Sequence, residues 1–139
     1  MTVFKSVHEF REVMDRTFKL MSDDPEMGPR LREADTPQRF EFPDLELVVN
    51  IRAGQPDEPN LTWEWSDEVS WEPKVKMAMN SETANRYFQG KENVAIAIAR
   101  RRIKAGGDVK AALAILPITK PLFVHYRDMI AVDYPHLEV

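Results

Sequence analysis

The sequence predicts an α/β fold of the α+β kind: about five strands in a largely antiparallel sheet, together with amphipathic helices. Three observations carry that expectation. Over residues 38–79 apolar residues alternate with polar ones, the period of a half-buried strand. Over 7–21 and again over 118–130, apolar residues recur at three- and four-residue spacing, the period of an amphipathic helix. The connections between the early strands are short, which favours antiparallel pairing. The chain has 139 residues and no internal repeat or low-complexity stretch, and fits one domain spanning 1–139.

The elements follow in order. Ser6-Val7-His8-Glu9 fits a capping box, in which serine caps the helix and glutamate reaches back. Phe10, Val13, Met14, Thr17, Phe18 and Met21 then form one stripe of a helix from about 7 to 21. Asp23-Asp24-Pro25 offers a second N-cap for a short helix to about Ala34, although Gly28-Pro29 argues for a break inside it. Phe40 and Phe42 alternate with charged neighbours. After a turn at Pro43-Asp44, Leu45, Leu47, Val49 and Ile51 share one face of the next strand. Gly54 to Pro59 is a loop by composition. Leu61, Trp63 and Trp65 share a face of a third strand, where tryptophans are more often core than ligand contacts.

The stretch the rest is organised around is Lys74 to Gly107. It opens with an alternating strand, Lys74 to Met79, with Val75, Met77 and Met79 on the buried face. An N-cap signal at Asn80-Ser81 starts a short helix from Glu82 to Gln89, closed by Gly90. A small, wholly apolar run follows, Val94 to Ala99, and then a short strand, Arg101 to Ala105, ending at Gly106-Gly107. Asp108 reads as the cap of a helix from Val109 to about Leu116. Pro117 then opens a last helix with a stripe of Ile118, Leu122, Tyr126, Met129 and Ile130. The tail from Asp133 reads as loose. Short helices that are apolar nearly all round, together with seven methionines, suit a cavity that admits a long apolar chain.

The order and spacing of Val75, Met77, Met79, Asn80, Phe88, Gly90, Ala95, Ile103, Lys104, Gly107 and Asp108 resemble the sterol carrier protein 2 family of lipid-binding domains. With the downstream apolar helices, the resemblance covers roughly residues 36–132. The family often has glycine between the second short helix and the last strand. Here that region reads Arg100-Arg101, so the turn must be made differently. The resemblance implies a five-stranded sheet, helices over one face and an apolar tunnel between them. It implies non-catalytic binding, and transfer, of a sterol, fatty acid or fatty acyl ligand. Met77, Met79, Phe88, Ile98, Leu122 and Tyr126 are the expected lining residues, with the helix at 82–89 and the last helix walling the tunnel together.

Composition narrows the alternatives. There are no cysteines, which excludes disulfides, thiolate metal sites and cysteine nucleophiles and points to a reducing, cytoplasmic compartment. The N-terminus has no signal-peptide core, and no apolar run approaches the ~20 residues of a membrane span. The net charge of −4 divides unevenly: residues 1–73 hold 17 acidic and 8 basic side chains, residues 74–139 hold 6 and 11. A general nucleic-acid binder is more often basic overall, so no nucleic-acid partner is expected. His8, His125 and His136 have no metal-like neighbours at helical spacing, and no nucleophile elbow or phosphate-cradling glycine loop is present. No enzymatic activity, metal or other cofactor is therefore expected. The densest basic cluster is Arg100-Arg101-Arg102 with Lys104. It reads either as a solvated sheet face paired with Glu46 and Glu64 or as a patch for transient contact with an anionic membrane surface. The alternative to lipid binding is an interaction or scaffold module that keeps the same core without a ligand.

Overall fold

Residues 2–139 are described by the computed structural model. Helix α1 spans Val7–Asp23 and opens as a capped helix should: Ser6 Oγ accepts from Glu9 N at 3.0 Å, while Glu9 Oε1 reaches back to Lys5 N at 3.0 Å. Its stripe of Phe10, Val13, Met14, Phe18 and Met21 is buried. Each such side chain contributes roughly 1.5–3 kcal/mol by leaving water. Phe10 sits at the centre of an aromatic cluster, edge-on to Phe4 at 4.9 Å and to Phe42 at 4.7 Å.

Helix α2, Met27–Ala34, runs unbroken through Gly28-Pro29. The expected break does not occur because Pro29 lies in the first turn, where a helix has no use for its missing N–H. The Asp24 carboxylate takes the N–H groups of Glu26 and Met27 instead.

Five strands follow: β1 Gln38–Phe42, β2 Leu47–Ala53, β3 Leu61–Trp65, β4 Val75–Met79 and β5 Ile103–Gly107. They form one sheet in the order β3-β2-β1-β4-β5. Three of the four pairings are antiparallel, and β1 and β4 run parallel. The parallel pair needs a long return, because the chain leaves β3 at one edge and must cross to the far side of β1. Residues 66–73 make that crossing over the outer face of the sheet. Asn50 Nδ2 donates to Ser66 O at 2.8 Å, Arg39 Nη1 donates to Asp67 O at 2.6 Å, and Arg52 lies over the Trp71 ring.

The remaining helices are α3 Ser81–Phe88, α4 Val94–Ala99, α5 Val109–Thr119 and α6 Leu122–Asp133, with short 3-10 turns at Pro43–Leu45 and Pro135–Leu137. Asp108 caps α5 through Ala111 N, as its position predicts. The division between the last two helices falls later than the sequence suggests: α5 continues through Pro117 to Thr119, and α6 begins at Leu122 after Pro121. Pro117 sits in the closing turns of α5, where the helix forfeits only one backbone hydrogen bond to it.

The tail is bolted down rather than loose. Tyr134 and Leu137 are buried, and the buried amides of Asn85 and Gln89 on and just after α3 both donate to Leu137 O at 2.8 Å. Val139 N donates to Gln89 Oε1 at 3.1 Å. A buried side-chain amide demands partners, and here the chain terminus supplies them. Among the described residues no helix is long and apolar enough to cross a membrane.

Candidate functional site

The alternation along β4 sets one wall of an internal cavity. Val75, Met77 and Met79 face the helices and are buried, while Lys76 is exposed on the outer face. β1 adds Gln38, Phe40 and Phe42 to that wall, and Ile51, Leu61 and Ile103 extend it to both edges, so every strand contributes. The opposite wall is helical. Met14, Phe18 and Met21 come from α1, Leu31 from α2, Ala84, Tyr87 and Phe88 from α3, Val94 from α4, and Ala112, Ile115, Leu116 and Thr119 from α5. The space enclosed is about 80 Å³. It is a narrow seam across the width of the sheet, well short of the ~300–1,000 Å³ of a formed small-molecule pocket.

The lining carries no charged side chain. Its polar groups are the Gln38 amide, the Tyr87 hydroxyl and the Thr119 hydroxyl, and the last two face each other at 3.4 Å. Burial pushes the Tyr87 hydroxyl above its ordinary range, against the weaker opposing effect of Thr119. Four of the chain's seven methionines, Met14, Met21, Met77 and Met79, stand on the walls. Unbranched thioether chains repack at low cost, so these walls can change shape more readily than walls of isoleucine or valine.

Met77, Met79 and Phe88 line the seam. Ile98, Leu122 and Tyr126 do not. Ile98, on α4, is half-buried and packs against the core. Leu122 and Tyr126 are fully buried behind α3, where Tyr126 Oη donates to Asn85 Oδ1 at 2.6 Å and the Tyr126 ring packs 5.5 Å from that of Phe88. Helix α6 therefore supports α3 and α1 from behind, and α5 takes the place expected of it on the cavity wall. The α6 stripe declared that one face is buried, but not against what. The residues missing from the sequence reading, Ile115, Leu116 and Thr119, belong to a helix apolar on nearly every side. That all-round apolarity was the available signal, since a helix at a protein surface normally keeps a polar face.

The basic run is split among three surroundings. Arg102 Nη2 donates to Glu92 Oε1 at 2.6 Å, and Arg86 Nε holds the other oxygen, Oε2, at 3.0 Å. The Glu92 side chain is nearly enclosed. Burial works to raise its carboxyl, and the hydrogen bonds and charges of Arg102 and Arg86 together overcome it, so the group sits below the usual carboxylate range. Lys104 lies on the exposed, outer face of β5. Arg100 and Arg101 form the turn after α4 and are exposed. Pairing with Glu64 does not occur, because β3 and β5 are opposite edges of the sheet.

The turn without glycine is made by Arg101 itself, in the left-handed region at φ +60. Arg102 N bonds to Ala97 O and Arg101 N to Ile98 O, the two bonds of a Schellman motif. The histidines are dispersed, His8 beside Glu12, His125 beside Asp24 and His136 beside Glu9. A wider groove of about 380 Å³ between α1 and α6 is lined by Arg16, Lys19, Asp23, Asp24 and His125. These charges already satisfy one another or their neighbours, as in Lys19–Asp23 at 2.8 Å and Arg16–Asp133 at 2.9 Å. The groove offers a ligand little that is unpaired.

No family model matches the chain, and no curated protein matches it in sequence. Solved structures match its fold. A ubiquinone synthesis protein, UbiJ-SCP2, superposes with a TM-score of 0.62 at 8% identity, over 81% of this chain and 89% of that one. The apo form of sterol carrier protein 2 from Yarrowia lipolytica gives 0.54 at 14% identity, over 86% and 93%. The stereoselective inverting sec-alkylsulfatase Pisa1 from Pseudomonas sp. gives 0.62 at 17% identity over 76% of this chain. This chain spans only 16% of the sulfatase's length. The fold is that of sterol carrier protein 2 domains, with cover of most of both chains.

Proposed function

We propose that residues 1–139 act as a single non-catalytic domain that binds, and carries between surfaces, a lipid chain held in the seam between the sheet and the helices. The observation that carries this reading is the lining: an elongated space reached by all five strands and by five of the helices, without one charged side chain. An apolar chain would enter it with about 25 cal/mol gained per Å² buried, less the cost of ordering. The lining favours an uncharged chain, with Gln38, Tyr87 and Thr119 as the groups able to meet a hydroxyl or carbonyl. A charged head would stay in solvent. Met77, Met79 and Phe88 are the ligand contacts among the residues expected from sequence.

The second reading is a ligand-free interaction module of the same fold. The observation in its favour is the size of the space, about 80 Å³. Native mass spectrometry on protein purified without detergent separates the two, followed by incubation with a long-chain fatty alcohol and, in parallel, the matching fatty acid. Lipid carried through purification, or uptake of the alcohol in preference to the acid, is the expected result. Protein that emerges empty and takes up neither would leave the interaction module standing.

A further inference from the structure

Helix α4 is six residues long, Val94–Ala99, and every one is apolar. Val94 and Ala97 are buried, and Val94 stands on the cavity wall. The outward face is Ala95, Ile96 and Ala99, all exposed, with Ile96 47% exposed. A surface turn with no polar side chain of its own is unusual in a protein that meets only water. Its flanks are cationic. Lys91 precedes it and Arg100 and Arg101 follow it, all exposed, and none of the three side chains has a hydrogen-bond or ion-pair partner among the described residues. Arg101 also holds a backbone conformation that is costly for arginine and free for glycine. The arginine there has a guanidinium without a partner among the described residues, free to meet a group outside the protein.

We propose that α4 and its closing turn form a docking face for an anionic lipid bilayer, with Ile96 entering between headgroups and Arg100 and Arg101 meeting headgroup phosphates. The occupant follows from charge and size. The patch is basic in a chain of net charge −4, which selects an anionic surface. Three small or medium apolar side chains on less than two turns fall far short of the ~800 Å² per partner of a stable protein interface. A bilayer needs only shallow insertion, and each cation held at its surface strengthens binding about fivefold. The inference rests on the lipid-carrying reading in one respect: docking through α4 would set the cavity, on the other side of that helix, against the bilayer.

The test is sedimentation with vesicles of phosphatidylcholine alone and of phosphatidylcholine mixed with phosphatidylglycerol, at low and high salt. Wild type should prefer the mixed vesicles and lose that preference as salt screens the charges. Arg101→Gly removes the charge and relieves the backbone, so it should unfold at equal or higher urea concentration yet bind about fivefold more weakly. Arg101→Gly with Arg100→Gln should bind about 25-fold more weakly, and Ile96→Ser should weaken binding to both vesicles. Arg101→Gly protein that binds mixed vesicles as tightly as wild type would overturn the proposal, as would wild type indifferent to phosphatidylglycerol; an acidic protein would then be the occupant to seek. Uptake of fatty alcohol, read by native mass spectrometry on the same samples, keeps the two ideas apart. Vesicle binding of the expected kind by protein that takes up no lipid supports the docking face and removes the lipid-carrying reading.

Discussion

Truncating a wall of the seam should cost less than truncating the solid core beside it, and the comparison of Met77→Ala with Leu122→Ala measures the difference. Both positions are buried, Met77 8% exposed and Leu122 fully enclosed. Removing a large core side chain loses its transfer free energy and adds about 24 cal/mol for each Å³ of cavity left behind, commonly 2–5 kcal/mol in all. Leu122 packs where no free space adjoins it, so its loss should cost about 3–5 kcal/mol. Met77 already faces a void of about 80 Å³. Part of its surface has no packing partner to lose, and the new space joins volume that exists, so about 2 kcal/mol is expected. Urea unfolding of both variants, with and without a pyrene-labelled fatty alcohol, supplies the values. Ligand at about a hundred times its dissociation constant should add ~2.7 kcal/mol to each folded variant. It should therefore bring Met77→Ala back to the stability of unliganded wild type, and leave Leu122→Ala below it. Equal losses in the two variants, with no ligand increment in either, would refute the reasoning and make the seam ordinary core.

Two further outcomes follow from interactions away from the seam. Glu92→Gln should cost about 1–3 kcal/mol, because it removes the charge that Arg86 and Arg102 share and turns an NH2 donor towards one of the two guanidinium groups, while both still reach solvent. The Glu92 carboxyl is depressed in the folded state, so its contribution is complete above its unfolded value of about 4.3 and is lost as pH falls through the folded value. The gap between wild type and variant in urea titrations should accordingly close below pH ~4, and a gap of constant size down to pH ~3 would contradict the assignment. Deleting residues 134–139 should cost at least ~3 kcal/mol by exposing the sites of Tyr134 and Leu137 and stranding the Asn85 and Gln89 amides; a truncated chain with the wild-type unfolding midpoint would mean the tail is not part of the core.

Much of this architecture is legible in the sequence where a local period decides it. The stripe of α1 and the alternation of β4 fix which side chains point inward, and Met14, Met77 and Met79 reach the cavity for that reason. Local period cannot choose between partners. The all-round apolarity of α5 and the stripe of α6 both declare burial, but which of them meets the sheet depends on how α3 and the tail pack, where Asn85 and Gln89, polar residues with no sequence pattern of their own, make the contacts. The parallel register of β1 and β4 is likewise non-local, since it requires residues 66–73 to cross the sheet. The glycine-free turn after α4 was visible as an oddity in the sequence, and its solution, an arginine in the left-handed region, became apparent only with the backbone.

A space of about 80 Å³ would take up a lipid of the proposed kind only if one wall yields, and the walls are not equally tied. Helix α1 is held from its first turn to its middle. The Asp15 carboxylate accepts from the indole N–H groups of Trp63 and Trp65 on β3, and Glu9, Glu12 and Arg16 reach His136, Tyr134 and Asp133 near the C-terminus. Helix α3 is held by Asp44 at its start and by the tail along its buried face. Helix α5 has no ion pair among the described residues; its one side-chain hydrogen bond to another element is Tyr87–Thr119, at the long limit of 3.4 Å. Its remaining hold is apolar packing, which lets one surface slide past another without breaking a directional bond. Gly106 and Gly107 precede it, and Lys120-Pro121 separate it from α6. Opening by displacement of α5 would part Ile115 and Leu116 from Met77 and Met79 while leaving the tethers of α1 and α3 intact. Of the three helices α1, α3 and α5, it is α5 whose displacement costs the fewest specific interactions.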